Sequence, residues 1–177
     1  ISTGELNLAL GGPTVYPELS KEAIETSSKK KNLISSGMWG RSSEEQQNRR
    51  SIYIHLKRSL VYPILSEFDF ADIDASCPVR FTTTQPAQAL RLINSDYLGK
   101  RASALFQRVR EEVGNDSDAQ IQRTFDIVLG RNPTAKESQM AQTFLNELTD
   151  REGLEMDHAL ERFCLLALNL NEFLYLD

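Results

Sequence analysis

The chain has 177 residues, 40% hydrophobic and 25% charged, an ordinary composition for a globular protein long enough to bury a core. Its net charge of −5 at pH 7 argues against general nucleic-acid binding. It contains no run of about 18 apolar residues that would predict a transmembrane segment. We predict one domain, residues 1–177. Residues 21–58 are basic and the remainder is acidic, which indicates either a solvated surface or a docking surface for an acidic partner or neighbouring domain.

The first 48 residues are predicted to form an irregular N-terminal segment. Gly11-Gly12-Pro13 and Pro17 interrupt regular structure, and residues 26–37, rich in Ser, Lys and Asn, are predicted to be a surface loop. The chain begins at Ile1 rather than Met, so we expect it to be an excerpt from a larger multidomain parent.

Residues 50–56 alternate imperfectly between apolar and polar side chains, which predicts a short strand. This strand either pairs with the extended N-terminal segment or packs alone on helices. His55 is the obvious candidate for chemistry here. No second ligand stands at metal-binding spacing, so we assign His55 a structural or surface role. Catalysis by Cys77 with His55 is the alternative, although no orienting residue or local signature accompanies the pair.

A group of carboxylates follows in the signature segment, residues 49–98. Asp69, Asp72 and Asp74 offer the oxygen ligands that calcium prefers, but the EF-hand pattern with its glycine is absent. Calcium binding is therefore the alternative. We predict instead a network with cations that fixes irregular backbone, because arginine's planar fork suits bidentate carboxylate contacts. The cations of this segment are Arg49, Arg50, Lys57, Arg58 and Arg80.

The run from Thr82 to Thr84 before Pro86 predicts a helix start, because proline is favoured in a first turn and threonine caps exposed amides. On the short helix that follows, Gln88 and Asn94 either donate to buried carbonyls or bind a polar ligand such as a sugar. No residue is assigned as catalytic, cofactor-binding or metal-binding. The whole candidate network is Arg49, Arg50, His55, Arg58, Asp69, Asp72, Arg80, Thr84, Gln88 and Asn94.

Residues 99–177 are predicted to form a helical array. A helix starts near Asp96, Gly114 and Gly130 are predicted helix stops, and Thr134 with Glu137 forms a capping box at the start of a further helix. Apolar residues recur at helical spacing and predict the core. These stripes are Leu98, Ala102, Leu105, Phe106, Val109 and Val113; Ile121, Phe125, Val128 and Leu129; Met140, Phe144, Leu145 and Leu148; and Leu160, Phe163, Cys164, Ala167 and Leu168, with Phe173 and Leu176 beyond.

Two cysteines, Cys77 and Cys164, leave a disulfide open, because sequence spacing does not show whether their Cα atoms approach within bridging distance. Cys164 lies on an apolar helical stripe, where a free cysteine behaves as a small hydrophobe. No Cys-x-x-Cys-His motif occurs. We therefore predict no cofactor in this chain, and any haem of the parent belongs to its other domains.

The signature segment also carries a family resemblance. The matching residues are the Arg49-Arg50-Ser51-Ile52-Tyr53 block, Lys57-Arg58, Phe68-Asp69 with Asp72, Arg80, Thr82 to Thr84, and Gln88-Ala89-Leu90 leading to Asn94. The pattern resembles the planctomycete-specific C-terminal domain of large exported cytochrome-c-like proteins, domain of unknown function family 1553. The resemblance implies an exported, periplasmic or cell-surface setting, with the neighbouring domains of the parent as partners. It implies no established activity.

These observations predict a mostly α-helical protein: an antiparallel helical array with an irregular N-terminal half and at most one short β pairing. The predicted function is that of a non-enzymatic structural and interaction module of an exported planctomycete cytochrome-c-like protein. The alternative is an accessory carbohydrate-binding or catalytic domain, with a polysaccharide ligand and a site in residues 49–94. A deep pocket that collects His55, Asp69, Arg80 and Gln88 would favour this alternative.

Overall fold

The computed structural model describes residues 1–19, 39–57, 62, 64–65, 68, 70–71, 90 and 92–175. The chain divides into two compact units. A helical unit contains Ile1–Gly4 and Ala89–Asp177, and an irregular unit contains Glu5–Gln88. The assignment of the whole chain to one domain stays a prediction.

The described elements confirm a mostly α-helical fold. In the irregular unit, α1 (Glu44–Gln47) precedes a 3-10 turn (Ser51–Tyr53). None of the helices in the described ranges is long and apolar enough to cross a membrane. The helical unit contains, among the elements that can be bounded within the described ranges, α2 (Asp96–Val113), α3 (Ser117–Leu129), α4 (Ala135–Asp150), α5 (Met156–Ala167) and α6 (Asn171–Leu174).

Polar caps and glycines set the helix ends in the helical unit. The Ser95 hydroxyl caps α2 by accepting a hydrogen bond from the amide of Leu98 at 3.0 Å. At the start of α4, the Thr134 hydroxyl accepts from the Glu137 amide at 3.3 Å, and the Glu137 carboxylate accepts from the Thr134 amide at 2.7 Å. The predicted capping box is therefore confirmed. Gly130 ends α3 at a φ of 69°, a left-handed conformation that glycine adopts without steric cost.

The long helices pack in an antiparallel array, as predicted. Ser103 of α2 donates to Glu161 of α5, and Arg110, further along α2, pairs with Asp157, which lies earlier on α5. The order of these contacts is reversed between the two helices, so α2 and α5 run antiparallel. The connections α2–α3, α3–α4 and α4–α5 are short, as is usual between antiparallel neighbours in a bundle.

The core of the helical unit lies between α3, α4 and α5, with α2 packed against it. Each buried leucine, isoleucine or phenylalanine here contributes about 1.5–3 kcal/mol through removal of apolar surface from water. Phe106 of α2 packs against this cluster as a partly buried neighbour. The buried members of the cluster are Ile121, Phe125, Ala141, Leu145, Ala159, Leu160 and Phe163.

Two predicted core positions are wrong. Met140 is 62% exposed, because the stripe of α4 that enters the core runs through Ala141 and Leu145 instead. Phe173 is also exposed, because α5 ends at Ala167 and Phe173 belongs to a separate short helix, α6. The remaining position predicted beyond α5, Leu176, lies outside the described residues.

Among the described residues, two isolated parallel bridges join the N-terminal segment to the residues after α1 in the irregular unit. Asn7 bridges to Arg49, and Val15 bridges to Ile54. Around the second bridge, the His55 amide donates to the Val15 carbonyl at 2.7 Å. These bridges are the predicted pairing of the two segments, reduced to single contacts.

The strand predicted over residues 50–56 is wrong at Ser51–Tyr53, which forms the 3-10 turn. The physical reason is local hydrogen bonding. The amide of Tyr53 donates to the carbonyl of Arg50, and that of Ile54 to the carbonyl of Ser51, each at 3.0 Å. These bonds turn the chain and leave Ile52 84% exposed.

Candidate functional site

Arg49 is positioned by α1 and by its pairing with the N-terminal segment. The helix α1 begins at a capping box between Ser43 and Gln46, and Asn48 ends it. The Asn48 carbonyl accepts a hydrogen bond from the Asn7 amide at 3.0 Å, beside the bridge between Asn7 and Arg49. Since Asn7 leads into residues 9–13, this bridge brings the side chain of Arg49 to that loop.

The Arg49 guanidinium holds this loop by three backbone carbonyls. One amino group, Nη1, donates to the carbonyl of Pro13 at 3.2 Å. The other, Nη2, donates to the carbonyl of Ala9 at 3.1 Å and also to that of Gly11. The planar guanidinium carries several N–H donors on one rigid group. It therefore binds several carbonyls while only one side chain loses conformational freedom. We call residues 9–13 the Arg49-held loop.

Tyr53 completes the attachment of this loop. The guanidinium carbon of Arg49 lies 3.8 Å from the centre of the Tyr53 ring, a cation–π contact. The Tyr53 hydroxyl accepts a hydrogen bond from the Gly11 amide at 3.1 Å. Gly11 and Gly12 have φ values of 72° and 86°, which side-chain-bearing residues rarely adopt. The glycine pair therefore lets the loop turn tightly beneath Arg49 and Tyr53.

The ring of His55 packs in an aromatic cluster, which consists of Tyr16, Trp39 and His55. The His55 and Tyr16 ring centres are 4.6 Å apart with an interplanar angle of 34°, and Trp39 lies edge-on at 5.8 Å from His55 and 5.6 Å from Tyr16. Such offset and edge-to-face arrangements are favourable for aromatic rings. The Trp39 indole donates to the carbonyl of Pro17 at 3.2 Å. All three rings are partly buried.

Close backbone contacts hold this cluster in place. The Tyr16 amide donates to the hydroxyl of the buried Ser42 at 2.9 Å, and Gln47 of α1 donates to the Ser42 carbonyl at 3.0 Å. Gly40 lies against the Tyr16 ring, where an added Cβ would come within 2.8 Å of Cδ2. Glycine is required there for space rather than for its backbone conformation. His55 is therefore a packed ring in a fixed environment.

The structure places only some of the predicted network. Arg49 and His55 lie in the irregular unit, and both contact the N-terminal segment. Arg50 is exposed, and its side chain makes no capping bond to the 3-10 turn. Asn94 is exposed and belongs to the helical unit. The other predicted residues lie outside the described ranges: Arg58, Asp69, Asp72, Arg80, Thr84 and Gln88. The arginine–aspartate network and the deep pocket around His55 therefore stay predictions.

Sequence reasoning missed the partners of Arg49 and His55. Tyr16 and Trp39 carry no periodic signal, since neither stands on a regular strand or helix. Two cues were present nonetheless: Trp39 is the single tryptophan of the chain, and Gly11-Gly12 indicates a tight turn.

The sequence of this chain matches a known family model. The family model described as "PSD1: Protein of unknown function (DUF1553)" matches residues 1–145. The chain belongs to the DUF1553 family. No curated protein and no solved structure matches it significantly. The family match ends inside α4, yet the helix α5 of this DUF1553 chain supplies Ala159, Leu160 and Phe163 to the core.

The described part of the DUF1553 chain holds no group of three or more His, Cys, Asp or Glu residues placed to bind a metal ion. Cys164 is a free, buried thiol in the helical unit, 4.0 Å from the Thr124 hydroxyl. Burial raises the pKa of Cys164 to about 12, so its thiol stays protonated and unreactive at neutral pH. The proposed partner of His55 in catalysis, Cys77, lies outside the described residues.

Arg131 of the DUF1553 chain forms a charged cluster with two glutamates. Arg131 pairs with Glu137 at 2.8 Å and with Glu172 at 2.7 Å, and it thereby ties the start of α4 to α6. The hydrogen bonds from Arg131 and from Thr134 lower the pKa of Glu137 to about 2. The same arginine lowers the pKa of Glu172. Because Glu137 is also the capping-box residue, this cluster serves helix connection.

Proposed function

We propose that this DUF1553 chain is a non-enzymatic structural and interaction module that docks on neighbouring domains of an exported, planctomycete cytochrome-c-like parent protein. One observation carries the proposal: Arg49 is engaged in holding backbone, and the segments that it joins expose large apolar side chains. Leu8 is 61%, Leu10 79% and Ile52 84% exposed. We call these three residues the docking patch.

The docking patch stands on two segments that are anchored on both sides. Leu8 and Leu10 lie between the bridge at Asn7 and the bond from the Gly11 amide to the Tyr53 hydroxyl. Ile52 lies between the same two anchors on the other segment, in the 3-10 turn. Exposed apolar groups on a fixed backbone favour binding, because little conformational entropy is lost when a partner covers them.

His55 supports a non-enzymatic role through its surroundings. Its ring packs against Tyr16 and Trp39. A general base needs a free ring nitrogen within reach of a substrate proton and a group that orients the ring. Among the described residues, the imidazole is held by the faces and edges of aromatic rings and not by a hydrogen-bonding carboxylate or carbonyl, which supports a structural role. The exported setting belongs to the proposal through the family resemblance, and secretion of the full-length parent followed by cell fractionation tests it.

Calorimetric titration of the chain with the remaining domains of the parent, produced as a separate protein, tests the docking. Leu8→Asp and Ile52→Asp should each weaken binding by about tenfold or more, because a charge replaces an apolar side chain in a desolvated contact. The matched control is Leu90→Asp, since Leu90 is 62% exposed and belongs to the helical unit. Equal affinity for wild type and both patch variants would contradict the docking patch.

Carbohydrate binding is the second candidate, and the aromatic cluster is the observation that favours it. Partly exposed tyrosine and tryptophan rings offer apolar faces with polar edges, which suits a sugar ring. Because Trp39 is the single tryptophan, a polysaccharide bound at the cluster should change its fluorescence in a saturable manner, and Trp39→Phe should abolish that signal. A flat titration with a panel of soluble polysaccharides would remove this candidate.

A further inference from the structure

The outer face of α4 carries an open groove of about 400 Å³. Met140 on this face is 62% exposed, and Phe144 beside it is only partly buried. The lining residues are all from α4 and recur at helical spacing, so they form one stripe along the helix. They are Lys136, Gln139, Met140, Thr143, Phe144 and Glu147. We call them the α4 stripe.

The chemistry of the α4 stripe is self-complementary. It has a cation, Lys136, at one end and an anion, Glu147, at the other, about 16 Å apart at 1.5 Å per residue. Its apolar side chains, Met140 and Phe144, lie in the middle. If a second α4 lies across it in the antiparallel direction, each Lys136 meets a Glu147, and the apolar centres cover one another. In a parallel pair, like charges would meet at both ends.

We propose that α4 is a self-association surface, on which the α4 stripe of a second copy of this chain docks in the antiparallel direction. The contact is isologous, as in a two-fold dimer, so the same pair of charges is made twice. A single pair of helices buries less surface than the roughly 1,200 Å² of a stable interface, so the dimer is weak and concentration-dependent. This inference is independent of the proposed function, because it uses a surface of the helical unit.

Lys136 and Glu147 are both exposed, so their charged groups can reach a second copy. Glu147 is also 3.7 Å from Arg151, but that pair is exposed on both sides and is of the kind that contributes little stability. Reversing either end of the stripe therefore changes the dimer far more than the fold. Lys136→Glu brings two carboxylates together at both charge contacts of the dimer, and Glu147→Lys brings two ammonium groups together at both.

Sedimentation velocity over a concentration series tests the proposal. The wild type should shift from monomer towards dimer as concentration rises. Each single reversal should weaken dimerisation by about tenfold, because two attractive pairs become repulsive. Arg162→Glu and Glu111→Lys are the controls: they make the same changes in net charge at exposed positions outside the groove, and they should dimerise as the wild type does.

The decisive measurement mixes the two single variants in equal amounts. A heterodimer of Lys136→Glu with Glu147→Lys has opposite charges at both contacts, so the mixture should regain wild-type dimerisation although each variant alone dimerises about tenfold more weakly. Recovery on mixing also shows that both variants are folded. A wild type that is monomeric at every concentration would overturn the proposal. So would reversals that leave dimerisation unchanged, or a mixture that stays monomeric.

Discussion

The two units satisfy their backbone polar groups in different ways. In the helical unit, the backbone amides and carbonyls are satisfied by hydrogen bonds within each helix and by local caps such as Thr134 with Glu137. In the irregular unit, side chains reach across the sequence to the backbone: Arg49 binds the carbonyls of its loop, Tyr53 binds Gly11, and Ser42 binds Tyr16. A segment without a regular ladder thus depends on a few distant side chains, and one substitution there removes several backbone partners together.

The largest expected effect lies in the helical unit, where stability depends on packing. Leu145→Ala should lower the free energy of unfolding by about 2–5 kcal/mol, because it leaves a cavity in the core. Met140→Ala, on the same helix, should change it by less than about 0.5 kcal/mol, because Met140 is exposed. Urea denaturation of dilute protein, followed by far-ultraviolet circular dichroism, measures both. Equal losses for the two variants would contradict the assignment of α4's buried face.

The next largest loss of stability is expected from Arg49→Lys, which acts in the irregular unit. Lysine keeps the charge but lacks the planar fork, so it cannot bind three carbonyls and cover Tyr53 together. We expect a loss of about 1–2 kcal/mol of unfolding free energy. The matched control is Arg50→Lys, because Arg50 is exposed and makes no side-chain capping bond.

Trp39 fluorescence during denaturation measures the Arg49 effect. As the only tryptophan, Trp39 reports on the irregular unit alone, whereas circular dichroism reports mainly on the helices. Comparison of the two signals sharpens the distinction between the units. If Arg49→Lys leaves the fluorescence transition unchanged, the guanidinium is not what holds the loop.

A smaller effect should follow from Glu137→Gln, and it should depend on pH. Glutamine keeps the capping hydrogen bond but loses the charge opposite Arg131. The pKa of Glu137 falls from 4.5 to about 2 in the folded chain, so protonation favours unfolding. The carboxylate's contribution is complete above pH 4.5 and is lost as pH falls towards about 2. The stability difference between wild type and variant should therefore shrink over this range. A difference that stays constant would contradict the ion-pair account.

The smallest expected effect is the chemical labelling of Cys164 in the folded chain. Because burial raises the pKa of its thiol to about 12, Cys164 should resist a thiol reagent at neutral pH until the helical unit unfolds. Mass spectrometry of the peptide containing Cys164, with and without guanidinium chloride, measures the labelled fraction. Rapid labelling of the folded chain would show that this part of the core opens readily.

The sequence by itself determined the helical unit closely. Gly114 and Gly130 mark helix ends and Thr134 with Glu137 marks a start, because these signals act through hydrogen bonds within a few residues. Helical periodicity gave most of the core for the same reason. Periodicity gave the wrong prediction for Met140, because the face of α4 that contains Met140 and the neighbouring face that contains Ala141 are both partly apolar. Only packing against α5 selects which of the two is buried.

The tertiary structure alone decided the arrangement of the irregular unit. The sequence predicted that arginines paired with aspartates fix irregular backbone, whereas the partners of Arg49 include the carbonyl of Ala9, 40 residues away along the chain. Likewise, the Tyr16 ring meets His55 beside the bridge that joins Val15 to Ile54, and Trp39 lies against both rings. No local pattern encodes such contacts. They depend on which distant segments the fold brings together, whereas helix ends and stripes are encoded by residues only a turn or two apart.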